Sequence, residues 1–187
     1  MKNVRSIYEL LSIVESIEGW ISTYEQIALL HLPSMADHFP GAIVEIGSFK
    51  GKSTAALALG SSLLSSRKRP VYAIDPFVVP PYEEFENNMK MHGLDRFVIP
   101  IKKHSYEACE DCPESIAALF IDGDHNYESV RRDIADYIPR VVKGGIAAFH
   151  DYSTYWPGVV KAVDELCGNK EFKIITIYDN LLFVRKL

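Results

Sequence analysis

The chain has 187 residues, 20 Lys+Arg against 25 Asp+Glu for a formal charge of −5, and 48% hydrophobic residues. That balance excludes intrinsic disorder and argues against a protein that grips a nucleic-acid backbone by bulk positive charge. No run reaches the roughly 18 apolar residues of a membrane span, Glu9 and Glu15 break the apolar stretch a secretion signal after Lys2 and Arg5 would need, and three cysteines make no disulfide scaffold. The expectation is a cytoplasmic protein with no membrane span and one domain over residues 1–187, in which helices over 1–40 cover a core over 41–187.

The elements follow in chain order. Ile7, Leu10, Leu11, Val14 and Ile17 recur at helical spacing, and Gly19 stops that helix. Ser22-Thr23-Tyr24-Glu25 has the form of a capping box opening a second helix through Leu32, with Pro33 and Pro40-Gly41 marking the exit. Ala42 to Ile46, ending at Gly47, reads as a buried strand, and a small-residue helix runs from about Ser53 to Leu64. Further strands are expected at Val71–Asp75, Phe97–Ile101, Ala117–Asp122 and Ile146–Phe149, the last entered by a Lys143-Gly144-Gly145 turn. Helices are expected near Glu83–His92, through Val130, Ile134 and Ile138, and near Val159–Leu166. Lys173–Tyr178 and Leu181–Arg185 are separated only by Asp179-Asn180, so a tight hairpin should turn the final strand antiparallel. The fold class is α/β, a doubly wound sheet of about seven strands, mostly parallel, with helices on both faces.

Ligands of such sheets bind beyond the carboxyl ends of the strands, where the strand order reverses. Polar groups collect at four such ends: Glu45-Ile46-Gly47, Ile74-Asp75-Pro76, Ile121-Asp122-Gly123-Asp124-His125 and Phe149-His150-Asp151. The turn Gly47-Ser48-Phe49-Lys50-Gly51-Lys52-Ser53-Thr54 is one residue short of a phosphate-binding Walker loop, which leaves a nucleotide hydrolase as a lesser alternative. Cys109 and Cys112 have half the spacing of a zinc site without a second pair. A glycine turn after the first strand, with an acid ending the second, suits a nucleoside whose ribose hydroxyls need a carboxylate.

The blocks Ile43-Val44-Glu45-Ile46-Gly47-Ser48-Phe49-Lys50-Gly51-Lys52-Ser53-Thr54, Phe120-Ile121-Asp122-Gly123-Asp124-His125, Lys143-Gly144-Gly145 and Ala148-Phe149-His150-Asp151-Tyr152 resemble the class I S-adenosylmethionine-dependent methyltransferases, and within them methyltransferase family 24. The resemblance implies a Rossmann-like fold and S-adenosyl-L-methionine as cofactor. It places Glu45, Gly47, Ser48 and Gly51 at the methionine end, Asp75 on the ribose, Pro76 and Phe77 beside the adenine, Ser105 at the adenine edge and Asp122 near the sulfonium. It further implies O-methylation of a small-molecule hydroxyl of sugar or natural-product type. Asp122, His125 and His150 are then the catalytic candidates, and Asp122 and Asp151 the candidate ligands of Mg²⁺. His150 stands where related metal-dependent enzymes have another acid. Trp20 and the Tyr152–Trp156 aromatics read first as packing, with Tyr155 or Trp156 as candidate walls of the acceptor pocket. A non-catalytic cofactor-binding partner protein is the other alternative, and a homo-oligomer is left open.

Overall fold

The computed structural model describes residues 6–168 and 170–187, so Lys2 and Arg5 lie outside the described residues. Helices α1 (Ile7–Glu15) and α2 (Thr23–Met35) each open on a complete capping box, Ser6 with Glu9 and Ser22 with Glu25. Strand β1 (Ala42–Ile46) is buried along its whole length and leads into α3 (Lys52–Leu59). Then come β2 (Val71–Ile74), α4 (Tyr82–Met91), β3 (Val98–Ile101), the short α5 (Ser105–Ala108), β4 (Ile116–Ile121) and α6 (Tyr127–Tyr137). Strand β5 (Val141–Phe149), α7 (Pro157–Cys167), β6 (Phe172–Tyr178) and β7 (Leu181–Lys186) complete the described chain.

The strands form one sheet in the order β3-β2-β1-β4-β5-β7-β6. Strands β1 to β5 pair in parallel, and β7 is antiparallel to both β5 and β6, as the short Asp179-Asn180 turn requires. One face packs Leu10, Leu29, Leu57, Phe85 and Phe120 under the first four helices; the other packs Leu119, Tyr137 and Val163 under α6 and α7. Each such fully buried side chain is worth about 1.5–3 kcal/mol, so both faces hold the sheet edge rigid.

Three local expectations are corrected. Helix α2 runs past Pro33 to Met35, because a proline one turn from the end removes a single backbone donor. Strand β5 begins at Val141 rather than after the glycine pair, and its register with β4 shifts where the glycines pass. The helix after β1 widens past Leu59 and continues as a π-helical turn over Gly60–Leu64. A β-carbon on Gly60 would stand 2.1 Å from the Leu30 carbonyl oxygen, so the glycine lets α2 close on that turn.

Chain order reverses between β1 and β4, and this is where the sheet edge opens. Gly47, at φ +87°, allows that junction: a β-carbon there would stand 2.0 Å from the Asp122 carbonyl oxygen.

Candidate active site

A cavity of about 1130 Å³ lies over the carboxyl ends of β1, β2 and β4. Its walls include Gly47, Ser48, Asp75, Pro76, Ser105, Asp122, His125, His150 and Asp151, so most of the sequence-predicted residues meet there. Glu45, Gly51 and Phe77 do not line it. Phe77 is buried against the Tyr82 and Phe85 rings, at 5.2 and 4.9 Å between centroids. Gly51 packs under Met89 and Phe85.

Glu45 sits one layer below the cavity, with no exposed surface. Its Oε2 accepts from the Ser48 hydroxyl at 2.8 Å and from the Thr54 hydroxyl, while Oε1 has no partner. Burial pushes its carboxyl up to about 7, against the pull of the Ser53, Thr54 and Ser48 hydroxyls. Glu45 therefore ties the glycine turn to the start of α3. The same bonds remove the Walker-like geometry: the Thr54 hydroxyl turns inward, Lys50 pairs with Glu18 and Glu84 at 2.7 and 3.0 Å, and Lys52 pairs with Glu15 at 2.9 Å.

Asp75 holds the outer side of that turn. Its Oδ2 accepts from the Ser48 and Phe49 amides at 3.1 and 2.9 Å, and its Oδ1 accepts from the Phe77 amide at 2.7 Å. With two lone pairs per oxygen, Oδ1 keeps one acceptor site for an incoming hydroxyl.

The ends of β4 and β5 form a charged cluster. His150 Nδ1 lies 3.0 Å from Asp122 Oδ1 and 3.4 Å from Asp151 Oδ2, and Nε2 lies 3.3 Å from Glu25 Oε2. Burial opposes a charge on this ring, but hydrogen bonds to Asp122, Asp151 and Glu25 outweigh it and hold His150 protonated well above its ordinary range. His125 Nε2 meets Asp151 Oδ2 at 2.8 Å, and this bond raises the basicity of an imidazole that is only half-buried. The Trp156 ring lies 4.2 Å from the His125 ring, centroid to centroid, and also walls the cavity. Tyr155, by contrast, points to solvent at 89% exposure and takes no part in the lining.

Two site residues were not legible as such. Glu25 is a capping residue by sequence, yet it is buried, accepts from the Ser22 and Asn180 amides and reaches His150 across the sheet end. Its capping-box position carries no sign of that contact. Trp20, read as packing, is 77% exposed on the cavity rim, with its ring 4.9 Å from that of Phe49. Among the described residues, the one group of three potential metal-binding side chains with ligand atoms in mutual reach is Asp122, His125 and Asp151, so Cys109 and Cys112 find no further ligand.

A sheet of this order with an acid after β2, a glycine turn after β1 and a polar cluster after β4 and β5 defines a class I methyltransferase. The chain matches the methyltransferase-domain family over residues 44–152, and it belongs to that family of S-adenosylmethionine-dependent enzymes. It is 32% identical over 154 residues to an uncharacterised protein of Acanthamoeba polyphaga mimivirus, covering 73% of this chain and 67% of that one. Among solved structures, the O-methyltransferase NovP superposes with a TM-score of 0.76 at 20% identity, covering 89% of this chain and 81% of that one. The O-methyltransferase TomG from Streptomyces achromogenes, solved with S-adenosylmethionine, gives 0.74 at 15% identity, covering 98% and 91%. Among the described residues no helix is long and apolar enough to cross a membrane.

Proposed function

We propose that this enzyme methylates a hydroxyl oxygen of a small molecule, with the His125–Asp151 pair taking the hydroxyl proton. The observation that carries the reading is the 2.8 Å contact between His125 Nε2 and Asp151 on the cavity wall beside Asp122. When bound, S-adenosylmethionine supplies a methyl group on a sulfonium. The cavity fits that cofactor: Asp75 Oδ1 has an open acceptor site for the ribose, Gly47 and Ser48 present backbone at the methionine end, and Pro76 and Ser105 flank the base. Asp122 places a carboxylate near the sulfonium. Glu45, Gly51 and Phe77 act from below by fixing the turn and the β2 loop.

Asp151 accepts from Nε2–H of neutral His125 and so leaves Nδ1 as the base. His150 is assigned a positioning role, because both its nitrogens already face carboxylates and no lone pair is left for a substrate proton. The exposed rings of Trp20 and Trp156 frame the opening and suit the C–H face of a sugar or the ring of a phenol. Residues up to about 40 complete the cavity wall through Glu18–Ile21.

Mg²⁺ prefers an octahedron of oxygens, and the one three-residue donor group among the described residues includes an imidazole and abuts the protonated His150. The donors do not fit Mg²⁺. Loss of turnover on chelation with EDTA, restored by a divalent cation, would replace the His125 base with a metal.

The test is calorimetric titration with S-adenosylhomocysteine beside ATP, followed by a product assay over a panel of sugar and phenolic hydroxyls. Saturable binding of S-adenosylhomocysteine, silence with ATP and methyl transfer to oxygen are expected. Transfer to nitrogen or sulfur acceptors alone would overturn the hydroxyl reading.

A further inference from the structure

The two edges of the sheet are built differently. Strand β3 closes one side with four residues, and Pro100 within it has no N–H to offer a further strand. Strand β6 closes the other side with seven residues and no proline. Among the described residues no strand pairs with its outer row of backbone N–H and C=O groups, which is therefore a template for one more. The side chains there are apolar as well: Ile174 and Ile177 are each 48% exposed, and Ile175 and Tyr178 are also exposed. Three isoleucines on a long open edge are what soluble proteins avoid unless another chain covers them.

Pairing with β7 fixes which of these side chains share a face. Ile174 stands opposite Val184 and Ile177 opposite Leu182, and both partners belong to the core under α6 and α7. Lys173 stands opposite Arg185 and Tyr178 opposite Leu181, which puts this second pair on the other face. The register shifts between Ile174 and Thr176, so Ile175 is the extra residue of a bulge. A bulge commonly guards an edge. This one sits at the middle of β6, so a twofold axis there maps it onto its own copy. Antiparallel neighbours must share a face, and the strand meets that condition along its length when Ile174 faces the copy's Ile177 and Lys173 the copy's Tyr178. The same register brings the Lys173 end of one strand to the Asp179 end of the other. One Asp179 oxygen accepts from the Ser22 hydroxyl at 2.5 Å, which leaves the second for an ammonium.

We infer that the protein forms a homodimer joined edge to edge, with β6 antiparallel to β6 of a second copy about a twofold axis, so that the two sheets become one. Any other partner would have to supply a strand of matching face and opposite charge; the second copy supplies both by symmetry. The cavity stays open in such a dimer, because β5 and β7 stand between β4 and the joined edge. The inference is independent of the cofactor assignment.

The experiment is sedimentation equilibrium of the full chain from about 1 to about 100 μM, where wild type should dimerise with a Kd of about 10 μM or tighter. Ile174→Lys and Ile177→Glu each set an unpaired charge against an isoleucine, so each should weaken the dimer at least about tenfold. Both side chains are half-exposed in the single chain, so circular dichroism should not change. Combining Ile174→Lys with Ile177→Glu sets opposite charges face to face in both symmetric pairs and should recover most of the loss. A wild type that stays monomeric at about 100 μM, or a dimer that neither single change weakens, would overturn the inference. So would a double variant no tighter than the single ones, because the register would then be wrong. Should a substituted chain fail to fold, hydrogen exchange of the wild type decides the matter. Amides over residues 172–178 should exchange more slowly as concentration rises, and exchange there that ignores concentration would overturn the pairing.

Discussion

Glu45 near the end of β1 and Asp151 after β5 share one edge of the sheet, yet their surroundings impose opposite charge states. Glu45 has hydroxyl partners and no cation, so burial dominates and its carboxyl is pushed up to about 7. Asp151 is also partly buried, but hydrogen bonds from His125 and His150 outweigh the burial and hold it well below the usual carboxylate range. The difference shows that a strand-end acid keeps its charge where imidazoles outweigh its burial: Asp122 faces His150 at 3.0 Å, yet burial still pushes its carboxyl up. A hydroxyl lends only part of a charge; Asp151 has two imidazoles in reach, at 2.8 and 3.4 Å.

The strongest way to break this contrast is to remove the third carboxylate. Glu25→Ala takes away a partner of His150 and the acceptor of two backbone N–H groups at once. It should cost about 3–5 kcal/mol, a fall of about 10 °C in Tm measured by calorimetry. A fall of less than about 2 °C would mean that the ring does not carry its charge there.

Next in size is the pH dependence of the Glu45 pocket. A folded value of about 7 against an ordinary 4.5 means that the neutral acid is the form the fold prefers. The unfolded chain releases the proton first, so stability falls as pH rises from about 4.5 to about 7 and is flat above that. Glu45→Gln should remove this fall and be more stable than wild type by up to about 3 kcal/mol at pH 8, with parity near pH 4. Urea unfolding at the two pH values measures it, and identical slopes in both proteins would contradict a buried titration at this site.

For the charged end the expected effect is chemical. His125→Gln should lower kcat about 100-fold, about 2.7 kcal/mol of barrier, while S-adenosylhomocysteine affinity stays within about threefold. Asp151→Asn should act in the same direction by leaving His125 without its orienting acceptor. Unchanged turnover in both would move the proton to another acceptor.

Much of this arrangement was legible in the sequence because it follows from alternation and from strand ends. The apolar runs Ala42–Ile46 and Ala117–Asp122, each with an acid at or near its close, read as buried strands, and Asp179-Asn180 left room only for a hairpin. Depth was not legible. Glu45 and Ser48 are three residues apart, yet one lies under the cavity and the other lines it, because Gly47 turns the chain at a positive φ. Nor could spacing show that Glu25 meets His150, 125 residues away, since that pair depends on how α2 settles over β5. Aromatic character likewise said nothing about side: Trp20 stands on the rim while Phe77 is sealed beneath it.

The finest test of the contrast lies in a single hydroxyl. Thr54 donates to Glu45 Oε2, and valine keeps its shape while removing the donor. A hydrogen bond to a neutral acid is worth about 1 kcal/mol and one to a carboxylate about 1.5–3. Thr54→Val should therefore cost about 1 kcal/mol at pH 4 and about 2 at pH 8, read from urea unfolding. The cost should grow through the same interval in which Glu45 ionises, and Thr54→Val in a Glu45→Gln background should lose that growth. An equal cost at both pH values would show that Glu45 keeps its proton throughout. The hydroxyls would then serve only to seat the turn, and the two ends of the edge would differ by position rather than by charge.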